Sequence, residues 1–114
     1  MLLNEEYSED GKRVTCIFQS SNISQIVYIE ETQFLYIFFK KAVYSYEGVT
    51  PKMYSDFVKS DSQGVFFNQN IKNNKDIYFR KEFNLKEYEI EELKFKTELL
   101  ENIKKEETNK NLNQ

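Results

Sequence analysis

Phe34-Leu35-Tyr36-Ile37-Phe38-Phe39, then Lys40-Lys41, then Val43-Tyr44-Ser45-Tyr46 is the stretch on which the fold turns. Six large apolar residues fall far short of the roughly 18 needed to span a bilayer. Rings and β-branched side chains dominate the run, so Phe34 to Phe39 reads as a strand. The two lysines turn the chain, and residues 43–46 return as the next strand. The length of that turn sets which face Tyr44 and Tyr46 occupy. A two-residue turn places them beside Leu35, Ile37 and Phe39 in the core, whereas a three-residue turn places them beside Tyr36 and Phe38.

Upstream, Val14 to Phe18 alternates as a first strand, Gln19 to Asn22 breaks it, and Ile23 to Ile29 reads as a second. If the next loop is Glu31-Thr32-Gln33, Tyr28 faces Tyr36 and Ile26 faces Phe38, opposite Leu35 and Ile37. Both faces of the meander are then apolar. Downstream, Thr50-Pro51 supplies an N-cap with proline at the first helical position, and Met53, Tyr54, Phe57 and Val58 recur at helical spacing, predicting a helix from 51 to about 60. Gly64, Val65-Phe66-Phe67 and Ile71 suggest a second short helix or turn. Residues 73–84 lack clear periodicity and read as an irregular connection. From Leu85 onward, Leu85, Tyr88, Leu93, Phe95, Leu99, Leu100 and Ile103 share one broad helical arc, interrupted by Glu89, Glu92 and Lys96.

The expected fold class is therefore α+β: a small antiparallel β-meander of about four strands packed with two short helices, plus a long C-terminal amphipathic helix. The expected organisation is a flexible acidic arm over 1–11, a domain over 12–80, the amphipathic helix over 85–107 and a disordered tail over 108–114.

Composition narrows the function classes. The chain has 114 residues, enough for one core and too few for two. It has no His, which removes the commonest general base and metal ligand. Its one cysteine, Cys16, lies within the alternation Val14-Thr15-Cys16-Ile17-Phe18 and reads as a small core residue. Acids 87, 89, 91 and 92 spread around a helix axis, so no metal site is expected, and no cofactor either. The first eleven residues hold four acids and no base, while residues 12–80 hold nine bases and six acids. A mildly basic centre thus lies between acidic ends. The first residues have neither the basic start nor the apolar centre of a signal peptide, and a cytoplasmic protein is expected.

Ser20-Ser21-Asn22-Ile23, Tyr28, Leu35-x-Ile37-x-Phe39, Tyr44-Ser45-Tyr46, Gly48-Val49, Tyr54 and Ser62-x-Gly64-x-Phe66-Phe67-Asn68-x-x-Ile71 together resemble the KTSC family. That family is named for its occurrence at the C-terminus of some lysyl-tRNA synthetases, and it also occurs as small free-standing bacterial and phage proteins. The resemblance covers about residues 20–72 and implies a role in RNA binding. Two departures stand out: Ala42 replaces the usual Gly of the hairpin turn, and Thr50-Pro51 replaces a Val-Pro start to the helix.

These readings converge on a non-enzymatic binding module that contacts RNA or other single-stranded nucleic acid. Its expected contact residues are Lys40, Lys41, Tyr44, Tyr46, Lys52, Lys72 and Lys75, basic groups around rings on which unpaired bases stack. The alternative is a phage-encoded protein-binding modulator, for example an inhibitor of a host defence complex. Tyr28, Tyr36 and Phe38, with Leu99 and Ile103 of the last helix, are then the partner-binding set, for another protein or a second copy of this chain. Ser20, Ser21, Asn22, Ser62, Gly64 and Asn68 are polar positions that either meet as a site or tie backbone groups in turns, the latter being the ordinary role of such residues.

Overall fold

The central hairpin is one of four successive hairpins, and a further strand joins the same sheet after the helices that follow them. The computed structural model describes residues 2–20 and 22–112, with side chains through residue 101 except residue 99. In chain order the elements are β1 (Leu2–Tyr7), β2 (Arg13–Phe18), β3 (Gln25–Ile29), β4 (Phe34–Phe38), β5 (Ala42–Glu47), α1 (Pro51–Lys59), α2 (Gln63–Phe66), a π-helical turn (Phe67–Ile71), β6 (Tyr78–Asn84) and α3 (Leu85–Leu112). All neighbouring strands pair antiparallel in the spatial order β1-β2-β3-β4-β5-β6.

The sheet therefore has six strands where about four were expected. The segment read as an acidic arm is β1, and the segment read as an irregular connection contains β6. Both are edge strands. Their residues are mostly exposed, and five of the thirteen are charged, as the edges of open sheets commonly are, which erases the hydrophobic alternation by which a strand is read.

Register decides the second correction. Ile29 pairs with Phe34, so the β3–β4 loop is Glu30 to Gln33, one residue longer than expected, with Gln33 at φ 58°. Tyr28 consequently opposes Leu35, and Ile26 opposes Ile37, on the face that the helices cover. A shift of one residue moves every side chain of a strand to the other face. At the β4–β5 turn, the Phe39 N–H donates to the Ala42 carbonyl at 2.8 Å, leaving Lys40-Lys41 as a two-residue turn. Neither lysine nor Ala42 has positive φ, so the turn does not need the family's glycine.

The helix-covered face carries the core. Thr50 caps α1 through its hydroxyl, which accepts the Met53 N–H at 3.2 Å, and Pro51 costs nothing at the first turn. The helix lays Phe57 against Phe18 and Phe66, with ring centroids 6.0 and 5.4 Å apart, and stacks Tyr54 on Tyr28 at 4.4 Å. The Tyr28 hydroxyl donates to the Val49 carbonyl at 2.6 Å, and Cys16 is fully buried beside the Tyr54 hydroxyl at 3.2 Å. Each large apolar side chain so buried contributes about 1.5–3 kcal/mol. Gly48 turns the chain from β5 toward α1 at φ 93°, and a Cβ there would stand 2.7 Å from the Asp76 carbonyl oxygen. Only glycine fits both constraints.

The chain divides into two compact units, one ending at Asn84 and the other beginning at Leu85. The second is the helix α3, whose backbone continues to Leu112, past the onset of the expected tail at 108. Lys96 pairs with Glu92 one turn earlier at 3.8 Å. Of the expected apolar arc, Tyr88 is buried and Phe95 half-buried, but Leu85, Leu93 and Leu100 are exposed. The side chains of Leu99 and Ile103 lie outside the described residues. No helix among the described residues is long and apolar enough to cross a membrane.

Candidate nucleic-acid interface

Between the β4–β5 hairpin and the π-helical turn lies a cleft of about 430 Å³. Three short segments build it. The hairpin contributes Phe39, Lys40, Tyr44 and Tyr46; the loop before β3 contributes Asn22; and the α2 and π-turn region contributes Gly64, Phe67, Asn68 and Lys72.

Local structure explains each contribution. Ser62 caps α2, its hydroxyl accepting the Val65 N–H at 3.3 Å, and a run of helical residues follows without a break into the π-turn. The turn closes with the Lys72 N–H donating to the Phe67 carbonyl at 2.8 Å, five residues back. That geometry sends Phe67 and Ile71 into the core and leaves Asn68 and Lys72, four apart, on the cleft wall. Ser20 fixes the loop opposite, its hydroxyl accepting the N–H groups of Asn22 and Ile23 at 3.4 and 3.3 Å. Gly64 lets the two walls approach closely, since a Cβ there would stand only 3.3 Å from the Asn22 side-chain nitrogen.

The serines thus take the turn-forming role and the asparagines do not. The side-chain amides of Asn22 and Asn68 are exposed at the cleft and hold no hydrogen bond among the described residues. Each offers one acceptor and two donors. Lys40 and Lys72 are exposed and make no ion pair among the described residues. Ser21 lies outside them.

The ring set differs from two exposed tyrosines. Tyr46 is only 7% exposed, and Tyr44 is half-buried. Tyr44 lies 4.9 Å from Phe39, and Tyr46 meets Phe67 edge-on at 5.8 Å, so both belong to the cleft floor rather than to an open platform. Burial pushes the Tyr46 hydroxyl above its ordinary pKa, with the Tyr44 phenol adding to the shift, which keeps it a neutral donor.

Of the seven expected contact residues, Lys40, Tyr44, Tyr46 and Lys72 meet at the cleft; Lys41, Lys52 and Lys75 are exposed but do not line it. The expected partner-binding set is divided. Tyr28 is buried in the core, its hydroxyl pushed up to about 12 by burial. Tyr36 and Phe38 lie on the opposite face, Tyr36 buried with its ring 6.2 Å from Phe83, and Phe38 half-buried. Asn22, Gly64 and Asn68 were legible only as polar positions in a shared spacing, and Phe39 and Phe67 only as core.

The family model of the KTSC domain covers residues 19–75, half of the chain and every segment that lines the cleft. No curated protein matches the sequence.

Proposed function

The chain belongs to the KTSC domain family, and from that premise we propose that it is a non-enzymatic, cytoplasmic binding module that takes single-stranded nucleic acid, RNA foremost, in the cleft between the β4–β5 hairpin and the π-turn. The observation that carries this reading is the convergence, within the family segment, of two lysines without an ion pair and two amides without a hydrogen bond among the described residues, over an aromatic floor. Lysines there attract phosphates, amides read base edges, and rings pack against base faces. Catalysis has little to work with. The chain has no His, and burial raises the pKa of its one thiol, Cys16, in the core.

The test is fluorescence anisotropy with a labelled single-stranded RNA of about ten nucleotides. A complex at micromolar protein and about 50 mM salt is expected, weakening steeply as salt rises. Lys40→Glu with Lys72→Glu should lower affinity at least about tenfold and flatten the salt slope by about 1.4, at roughly 0.7 per phosphate contact on a single strand. Lys75→Glu, away from the cleft, should change little. No complex under these conditions, or a double variant that binds like the parent, ends the reading.

A second reading, a protein-binding modulator such as a phage-encoded inhibitor of a host defence complex, is favoured by one observation. Leu93 and Leu100, seven apart on α3, are 64% and 58% exposed. Leu93→Asp with Leu100→Asp separates the readings: RNA affinity that survives the change assigns the two functions to different surfaces.

A further inference from the structure

We infer that the cleft extends onto β6, outside the family segment, and that Phe79 stacks a second base of the bound strand. The inference rests on the single-stranded nucleic-acid reading and deepens it by adding a base-stacking position on β6.

An irregularity in the β5–β6 pairing makes the case. Ser45 opposes Lys81 and Tyr46 opposes Phe79, so Arg80 is an extra residue in β6. Regular alternation would place Arg80 opposite Tyr46 and Phe79 opposite Glu47, on the face away from the cleft. The bulge moves Phe79 onto the cleft face, which is the re-aiming that such insertions perform. It is held there from behind: both carboxylate oxygens of Glu47 accept from the displaced Arg80 guanidinium, at 2.8 and 3.2 Å.

The re-aimed ring is not used up by the fold. Phe79 is 54% exposed, and its ring contacts are with Tyr44 and Tyr46, both cleft residues, at 5.8 and 5.5 Å and both edge-on. Both contacts are steeply inclined rather than stacked, and more than half of the residue is open to solvent, which makes the ring available to an unpaired base. Charge orients the occupant. Glu82 opposes Tyr44 from β6 and is exposed, whereas Lys40 and Lys72 line the cleft. The phosphate backbone is therefore drawn to the lysines, and the uncharged base is what the Phe79 edge accepts.

The experiment measures full-chain affinity for a ten-nucleotide single-stranded RNA and for a single nucleoside monophosphate, with Phe79→Ala, Phe79→Leu and Phe79→Tyr. Loss of one base stack should weaken the longer ligand by about tenfold in the Ala and Leu variants and leave the monophosphate and the salt slope unchanged. Phe79→Tyr, which keeps the ring, should bind like the parent. The leucine variant retains apolar contact with the two tyrosines, so a fold disturbed by alanine alone leaves a readable result. If both Phe79→Ala and Phe79→Leu bind the longer RNA like the parent while Lys40→Glu with Lys72→Glu does not, the extension onto β6 is wrong and the cleft reading stands. If the parent binds no RNA, both fall together.

Discussion

The covered face of the sheet has two halves built from the same kinds of residue. Under α1, Tyr28 is stacked by Tyr54 at 4.4 Å and 5°, its hydroxyl is satisfied by Val49, and Phe57 is fully buried. Beside the π-turn, Tyr44 is half-buried, Phe79 is exposed, and the amides of Asn22 and Asn68 have no partner among the described residues. One half spends its rings and polar groups on the fold, and the other keeps them available. Aromatic content alone does not mark a site. What marks it is rings and amides whose bonding capacity the fold leaves open.

The difference can be broken most forcefully from the closed half. Phe57→Ala removes a fully buried ring that touches Phe18 and Phe66, and the cavity should cost about 3–5 kcal/mol, a large share of the total for a domain of this size. Denaturant melts would show it. The fraction still folded should bind RNA as the parent does. A loss of affinity equal to the loss of stability would mean that the two halves are not separable.

Alkaline pH is a gentler probe of the same half. The Tyr28 pKa is pushed to about 12 from an ordinary value near 10, so the fold favours the neutral phenol. Its contribution is fully present below about pH 10 and is lost as pH rises toward about 12. Tyr54 and Tyr46 are shifted in the same direction by burial. Melting temperature should therefore fall from about pH 10 upward, and Tyr28→Phe should blunt the fall while costing about 1 kcal/mol at neutral pH for the lost bond to Val49. A flat profile between pH 9 and about 11.5 would contradict the burial of these phenols.

The smallest effect on stability belongs to the open half. Asn68→Ala removes an exposed side chain with no partner among the described residues and should change stability by no more than about 0.5 kcal/mol. RNA affinity should nonetheless drop severalfold, because the proposed function gives the amide its role on the ligand. A variant that melts early and binds normally would reverse the assignment of this residue.

Local signals carried much of the fold from sequence. Thr50-Pro51 announced α1 because capping depends on adjacent residues, alternation over Val14 to Phe18 placed Cys16 in the core because one face of that strand is buried, and the continuous apolar runs marked the central strands because both their faces are covered or nearly so. The same alternation is missing from Leu2–Tyr7 and Tyr78–Asn84, since an edge strand is held by backbone bonds to one neighbour and its side chains are free to be charged. The KTSC resemblance pointed to Asn22, Gly64 and Asn68 but not to their surroundings, because asparagines that tie a turn and asparagines whose amides stay open look alike until their neighbours are known.

The sequence by itself determined the α+β class, the antiparallel central strands, the capped helix and the family. Only the tertiary structure decided which face Tyr28 takes, that Tyr44 and Tyr46 floor a cleft, and that Phe79 stands beside them. Capping and alternation are set within a few residues of chain. Register and convergence are set by loop length and by a bulge between strands more than thirty residues apart, where one extra residue, Arg80, reverses the face of every side chain beyond it.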